Sequence, residues 1–166
     1  MIRRFQPTCR GLCIGLGLIF LAGCQSKLED PQNVPLIARF YLEAQPGEPA
    51  VPVQLPVSRV DLNVGLKPVF VESDIVDAEL VRVNLGWCML VKFTPAAGRD
   101  LYRLTAGSIG RRLVLSFNDQ PAGARRIEQV MPEGALLIFV EVDDTNLPPL
   151  VERLKRTSAE IAKRQR

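Results

Sequence analysis

The sequence contains no histidine, which removes the commonest general base and the commonest metal ligand near neutral pH. It has four cysteines, and two of them, Cys9 and Cys13, lie in the first segment of the chain. Cys24 and Cys88 are the others. Neither a zinc site built from Cys and His nor an internal disulfide framework is expected from such a set. Aromatic residues are scarce at 6%, with a single tryptophan, Trp87. No basic stripe alternates with aromatics, so a nucleic-acid surface is not expected. A spanning helix needs about 20 consecutive apolar residues, and the longest apolar run, from Gly11 to Gly23, is shorter. Expected cofactors and metals are therefore none.

That run is nonetheless informative. Arg3, Arg4 and Arg10 precede it, small residues close it, and polar Gln25-Ser26-Lys27 follows. This is the three-part layout of an export signal. Leu21-Ala22-Gly23-Cys24 resembles a bacterial lipobox, which implies cleavage before Cys24 and lipidation of its thiol. Several acyl chains, each worth roughly 0.8 kcal/mol per buried methylene, would hold such a protein on a bilayer. Residues 1–23 are thus expected to be the signal peptide, and the membrane, reached through the lipid anchor, is an expected partner.

The formal charge of +3 belongs to the signal. Removing Arg3, Arg4 and Arg10 leaves a neutral chain, and its apolar content is sufficient for one packed core. Residues 24–35 read as a tether. With a span of roughly 5–6 Å times the square root of its length, Gln25–Pro35 reaches about 18 Å on average. A domain over 36–166 would stay close to the membrane, periplasmic-facing in the cell envelope. Gln25 favours the outer membrane over the inner one under the sorting rules of some bacteria.

Strand character runs over Leu36–Ala44, Val51–Val57, Val60–Val64, Pro68–Val71, Ala78–Leu85 and Cys88–Phe93, with Gly86-Trp87 as a hairpin tip. Thr94-Pro95 is a helix start, since the Thr hydroxyl can accept from free N–H groups and Pro suits the first helical position. This helix is expected to continue to about Ser108, with Leu101, Leu104 and Ile109 toward the core. Arg112–Phe117, Arg125–Met131 and Ala135–Val142 are three further strands, with a turn over Asn118-Asp119-Gln120-Pro121. Asp144 or Thr145 would cap a last helix whose apolar stripe is Leu147, Leu150, Val151, Leu154 and Ile161. Strands joined by tight turns and two amphipathic helices predict an α+β two-layer sandwich, a mainly antiparallel sheet with both helices on one face.

The stretch FTPAAGRDLYRLTAGSIGRRLVLSFNDQPAGARRIEQVMPEG resembles the periplasmic head subdomain of SecD, an accessory subunit of the Sec translocase. Phe93, Thr94, Leu101, Thr105, Gly110, Arg111, Arg112, Leu113 and Gly134 carry the resemblance, together with the helix around Leu150 and Leu154. It is closest over about 72–161. SecD proper continues into several membrane spans, whereas this sequence runs to Arg166 without one, and Asn118-Asp119-Gln120 stands where Asp-Gly is usual. The resemblance implies a head-type domain on a lipid anchor, with an envelope or exported protein as partner. It transfers no catalytic residue.

Individual side chains add little chemistry. Cys88 lies in an apolar run and is expected to be a buried, inert thiol. Arg111, Arg112, Arg125 and Arg126 are either a solvated strand-end face or a patch for an acidic ligand or phospholipid. Trp87 is either core or a partner anchor. Asp143-Asp144 fit helix capping. Asp74, Asp77 and Glu79 are the carboxylates from which a hydrolase would have to be built. The expected function is that of a non-catalytic envelope lipoprotein binding a protein or extended peptide. A structural lipoprotein and a carboxylate-dependent hydrolase are the alternatives.

Overall fold

The computed structural model describes residues 34–132 and 134–164. The lipobox, Cys24 and most of the tether lie outside the described residues. The element order is β1 (Ala38–Leu42), β2 (Ala50–Gln54), β3 (Asp61–Gly65), a 3-10 turn (Glu72–Asp74), β4 (Ile75–Val83), β5 (Gly86–Phe93), α1 (Pro95–Ala106), β6 (Arg112–Phe117), β7 (Gln120–Arg126), β8 (Ala135–Ile138) and α2 (Leu147–Arg164). The strands form three ladders, β1-β6-β7, β4-β5-β8 and the hairpin β2-β3. Every pairing is antiparallel. Single bridges stitch the sheets together at Gly123–Val140, Phe40–Phe70 and Glu43–Val64.

The α+β sandwich expected from the sequence is the observed architecture. Leu113 and Leu115 of β6, Met89 and Val91 of β5, and Leu136 and Ile138 of β8 are buried in one core. Ala97 and Leu101 of α1 and Leu147, Val151 and Leu154 of α2 enter the same core. The opposite face of β1-β6-β7 is also covered. Tyr41, Val114 and Ala124 are cross-strand neighbours, and Leu62 and Val64 of β3 pack with Val114. Strand β6 is therefore buried on both faces, which is why Leu113-Val114-Leu115 is continuously apolar and does not alternate. The hairpin is fastened at its turn, where the N–H groups of Val57 and Ser58 donate to Glu141 Oε2 at 2.8 and 2.9 Å.

Helix α1 begins as expected: Thr94 Oγ1 accepts from Ala97 N–H at 3.2 Å, and Pro95 takes the first helical position. It stops at Ala106, before the expected end. Helical spacing no longer applies beyond that point, so Ile109 is exposed and Ser108 is buried in its stead. Leu104 is half-buried against the core. Thr105, inside the helix, is fully buried; its hydroxyl donates to the Leu101 carbonyl at 2.7 Å and accepts from Met131 N–H at 3.1 Å.

Two turns are placed differently from expectation. The β4-β5 turn is Asn84-Leu85, because Val83 pairs with Gly86. Gly86 has φ +124°, a conformation that glycine takes without strain. Trp87 therefore stands in a strand and not at the tip. The β6-β7 turn contains only Asn118 and Asp119, at φ +48° and +65°. Left-handed backbone at both central residues marks the mirror-image turn that matches the twist of a hairpin, and Asn and Asp tolerate it. Gln120 and Pro121 thus belong to β7, and the strand expected over Arg125–Met131 lies instead at Gln120–Arg126. Residues beyond it leave the sheet, although Ile127 is fully buried and pairs through its backbone with Gly110 and Arg111.

Helix α2 starts at Leu147, so Asn146, and not Asp144 or Thr145, directly precedes it. Leu150 and Ile161 of its expected stripe are half-buried, while Leu147, Val151 and Leu154 are buried. The helix also seals the beginning of the described chain. Leu36 N–H donates to Thr157 Oγ1 at 2.9 Å in a buried bond, and Arg153 Nη2 donates to the Val34 carbonyl at 3.1 Å.

Candidate functional site

The four arginines singled out in the sequence do not form one patch. Arg111 and Arg112 are turned inward on Glu43 and Glu48. Arg111 donates through Nε to the Glu43 carbonyl at 2.7 Å and through Nη2 to the same carbonyl, and it reaches Glu48 Oε2 at 3.0 Å. Arg112 Nη1 meets Glu43 Oε1 at 3.0 Å, and its N–H meets Glu43 Oε2 at 2.9 Å. These bonds close the β1-β6 junction. Partly exposed pairs of this kind are worth about 0–1 kcal/mol each. Their main effect is to fix where the chain turns after β1.

Arg125 and Arg126 separate because successive strand residues point to opposite faces. Arg126 is exposed beside its cross-strand neighbour Arg112. Arg125 is half-buried and lines a cleft of about 620 Å³ with Leu90, Glu128, Gln129, Val130, Met131, Pro132, Ala135, Leu136 and Leu137. The segment that leaves the sheet after β7 forms one wall, and β5 and β8 form the other. A second cleft of about 640 Å³ begins at the same Pro132 and is lined by Phe93, Thr94, Pro95, Gly98, Arg99, Tyr102, Arg103 and Gly134. Its surface is largely apolar, with Arg99 and Arg103 at its margin. Both clefts combine apolar walls with a few charged side chains.

Trp87 lies opposite Arg82, whose guanidinium carbon is 5.6 Å from the indole centroid. Trp87 is 39% exposed, and Leu85 in the adjoining turn is 85% exposed. Sequence reasoning singled out Trp87 but missed Leu85 and Arg82. The signal was present in Asn84-Leu85-Gly86, since an Asn close before a Gly is turn chemistry and places the tip before Gly86.

The carboxylates are spread out. Asp74 Oδ2 accepts from Val71 N–H at 2.9 Å and caps the 3-10 turn. Asp77 and Glu79 both engage Lys92; Asp77 Oδ2 is 3.7 Å from its Nζ, and Glu79 Oε1 is hydrogen-bonded to it. The bond to Glu79, more than the other neighbours, raises the Lys92 pKa and keeps the ammonium charged. Glu128 lies in the first cleft. Among the described residues no cluster of three His, Cys, Asp or Glu side chains could hold a metal ion, and no helix is long and apolar enough to cross a membrane.

Cys88 is buried, and its Sγ donates to the Val81 carbonyl at 3.4 Å. Burial pushes the thiol pKa up, against a smaller opposing pull from Arg125. The reactive thiolate is thereby suppressed. In the native protein Cys88, followed through its own peptide by mass spectrometry, should remain unlabelled by a maleimide over a period that labels it completely in the urea-unfolded chain. Equal rates in the two states would show that the Cys88 site opens readily.

No protein-family model matches the chain, and no curated protein sequence matches it. Solved structures do. One is that of the membrane component SecDF that enhances protein export, at 15% identity and a TM-score of 0.57, covering 73% of this chain and 62% of that one. Another is SecDF in its super-membrane-facing form, at 17% identity and a TM-score of 0.58, covering 72% of this chain and 18% of that one. The chain thus spans less than two thirds of either solved relative. The described residues carry an α+β fold similar to that of part of SecDF.

Proposed function

We propose that this protein is a non-catalytic lipoprotein of the cell envelope, held through Cys24, facing the periplasm and binding a protein or extended peptide, with a link to protein export. The observation that carries the reading is a SecDF-like fold joined to a sequence that ends its leading apolar run in Leu21-Ala22-Gly23-Cys24. Two apolar clefts and the exposed Leu85–Trp87 corner supply surfaces for such a partner. The shared engagement of Asp77 and Glu79 with Lys92 favours binding over acid–base catalysis, since it gives the two carboxylates one common partner in place of two contrasting environments. Outer-membrane placement, suggested by Gln25, is part of the same proposal.

Mass spectrometry of the mature N-terminus tests the anchor. The expected result is a chain beginning at an acylated Cys24, and Cys24→Ser should leave an unacylated, uncut precursor. A mature chain beginning elsewhere would refute it. Photocrosslinking in intact cells from positions 87 and 125 tests the binding role. Envelope or exported proteins should be recovered from both sites, and a pattern identical to that from exposed Lys67 would count against it.

A further inference from the structure

We infer that the C-terminal end of α2 rests on the anionic headgroup surface of the bilayer that holds the lipid anchor. The inference builds on the anchor proposed above and adds an orientation to it.

The first ground is where the chain leaves the domain. Val34 is held by Arg153, and Leu36 by Thr157, so the tether departs from the second half of α2. Nine residues lie between Cys24 and Val34, and the ten chain steps have a mean span of about 17 Å at 5–6 Å times the square root of length. The bilayer surface is therefore close to this part of the helix on average. From Thr157 to Arg164 the helix advances only about 10 Å at 1.5 Å per residue.

The second ground is charge. Helix α2 carries Arg153, Lys155, Arg156, Lys163 and Arg164 against Glu152 and Glu160. Glu152 is met by Lys155 at 3.8 Å. Lys163 and Arg164 occupy the exposed last turn. Complementing the helix dipole accounts for cations there, but the helix is net basic over its whole length, with five cations against two carboxylates, and Arg153 stands at the tether exit. An anionic leaflet attracts basic residues with an effect of about fivefold in affinity per charge, the equivalent of ~1 kcal/mol each. The tether supplies proximity, and the cations supply the preferred side.

The rival contact is the exposed Leu85–Trp87 corner, which lies at the other end of nine-residue β4 from the 3-10 turn. The single tryptophan makes the two orientations separable.

The test uses the acylated full-length mature protein in vesicles of phosphatidylcholine alone or with phosphatidylglycerol added. Amine labelling of Lys163 is read by mass spectrometry, and Trp87 fluorescence is read with brominated lipid. Lys163 should be protected several-fold on the anionic vesicles only. The protection should vanish at about 1 M salt, where the screening length falls to about 3 Å. Arg164→Glu, an exposed change, should also lower it several-fold. Trp87 should remain unquenched. Co-flotation with vesicles but equal labelling on both compositions overturns the inference alone, as does Trp87 quenching with Lys163 unprotected. Failure to co-float with either composition overturns the anchor itself.

Discussion

Gly123→Ala is expected to cost more than ~3 kcal/mol of stability, a large share of the ~5–15 kcal/mol that a domain of this size possesses. A Cβ at this position would lie 2.2 Å from the Phe139 carbonyl oxygen, and 3.2 Å from Phe139 C and Val140 Cα. All three are backbone atoms, so no side chain can swing away. Relief would require β7 to separate from the segment after β8. That movement would break the Glu141 N–H to Ala122 carbonyl bond of 2.6 Å. It would also shift Glu141, whose carboxylate holds the β2-β3 turn. One added methyl therefore threatens three parts of the fold together, beyond the ~1–3 kcal/mol of ordinary overpacking. Urea unfolding checks it. A midpoint within experimental error of the unmodified protein would show that the two strands are not held as close as described.

Phe40→Ala should cost about 3–5 kcal/mol, the usual range for removing a fully buried aromatic ring. Phe40, Phe70 and Phe93 form a cluster with ring centroids 6.4, 5.6 and 4.9 Å apart, and Phe40 is wholly inaccessible. The ring joins β1, β5 and the segment before the 3-10 turn. The Phe40–Phe70 bridge ties that segment to β1, with Phe40 N–H donating to the Phe70 carbonyl at 2.9 Å and Val69 N–H to the Phe40 carbonyl at 2.7 Å. Phe40→Leu retains much of the volume and should lose clearly less than the alanine variant. Equal losses for both in denaturant titrations would mean that ring contacts, and not filled space, dominate.

The elements that were legible in the sequence are those whose causes are local. Thr94-Pro95 announces α1 because capping and proline geometry act within one turn. The α2 stripe is visible because helical spacing brings Leu147, Val151 and Leu154 together without reference to the rest of the chain. Strand β7 was misplaced because Gln120-Pro121-Ala122-Gly123-Ala124 has none of the β-branched or aromatic residues that usually mark a strand. Its small residues answer a demand made by Phe139, sixteen positions away, and nothing nearby in the chain records that demand. Trp87 was recognised as a possible contact, but its setting depended on one turn being read two residues late. Of the arginines, Arg111 and Arg112 could not be assigned to Glu43 without knowing that β1 pairs with β6. The clefts beside Pro132 were illegible for the same reason, since each gathers residues from strands and connections far apart in sequence.

The bond from Leu36 N–H to Thr157 Oγ1 joins the beginning of the folded chain to its last helix. Strand β1 in turn pairs with β6, so its partner is also made late. A polypeptide emerging one end at a time, N-terminus first, would have to release nearly all of its length before this domain could close. Neither link can form until β6 and α2 are available, so closure of the domain waits on its last helix although the β2-β3 and β4-β5 hairpins have both partners earlier in the chain.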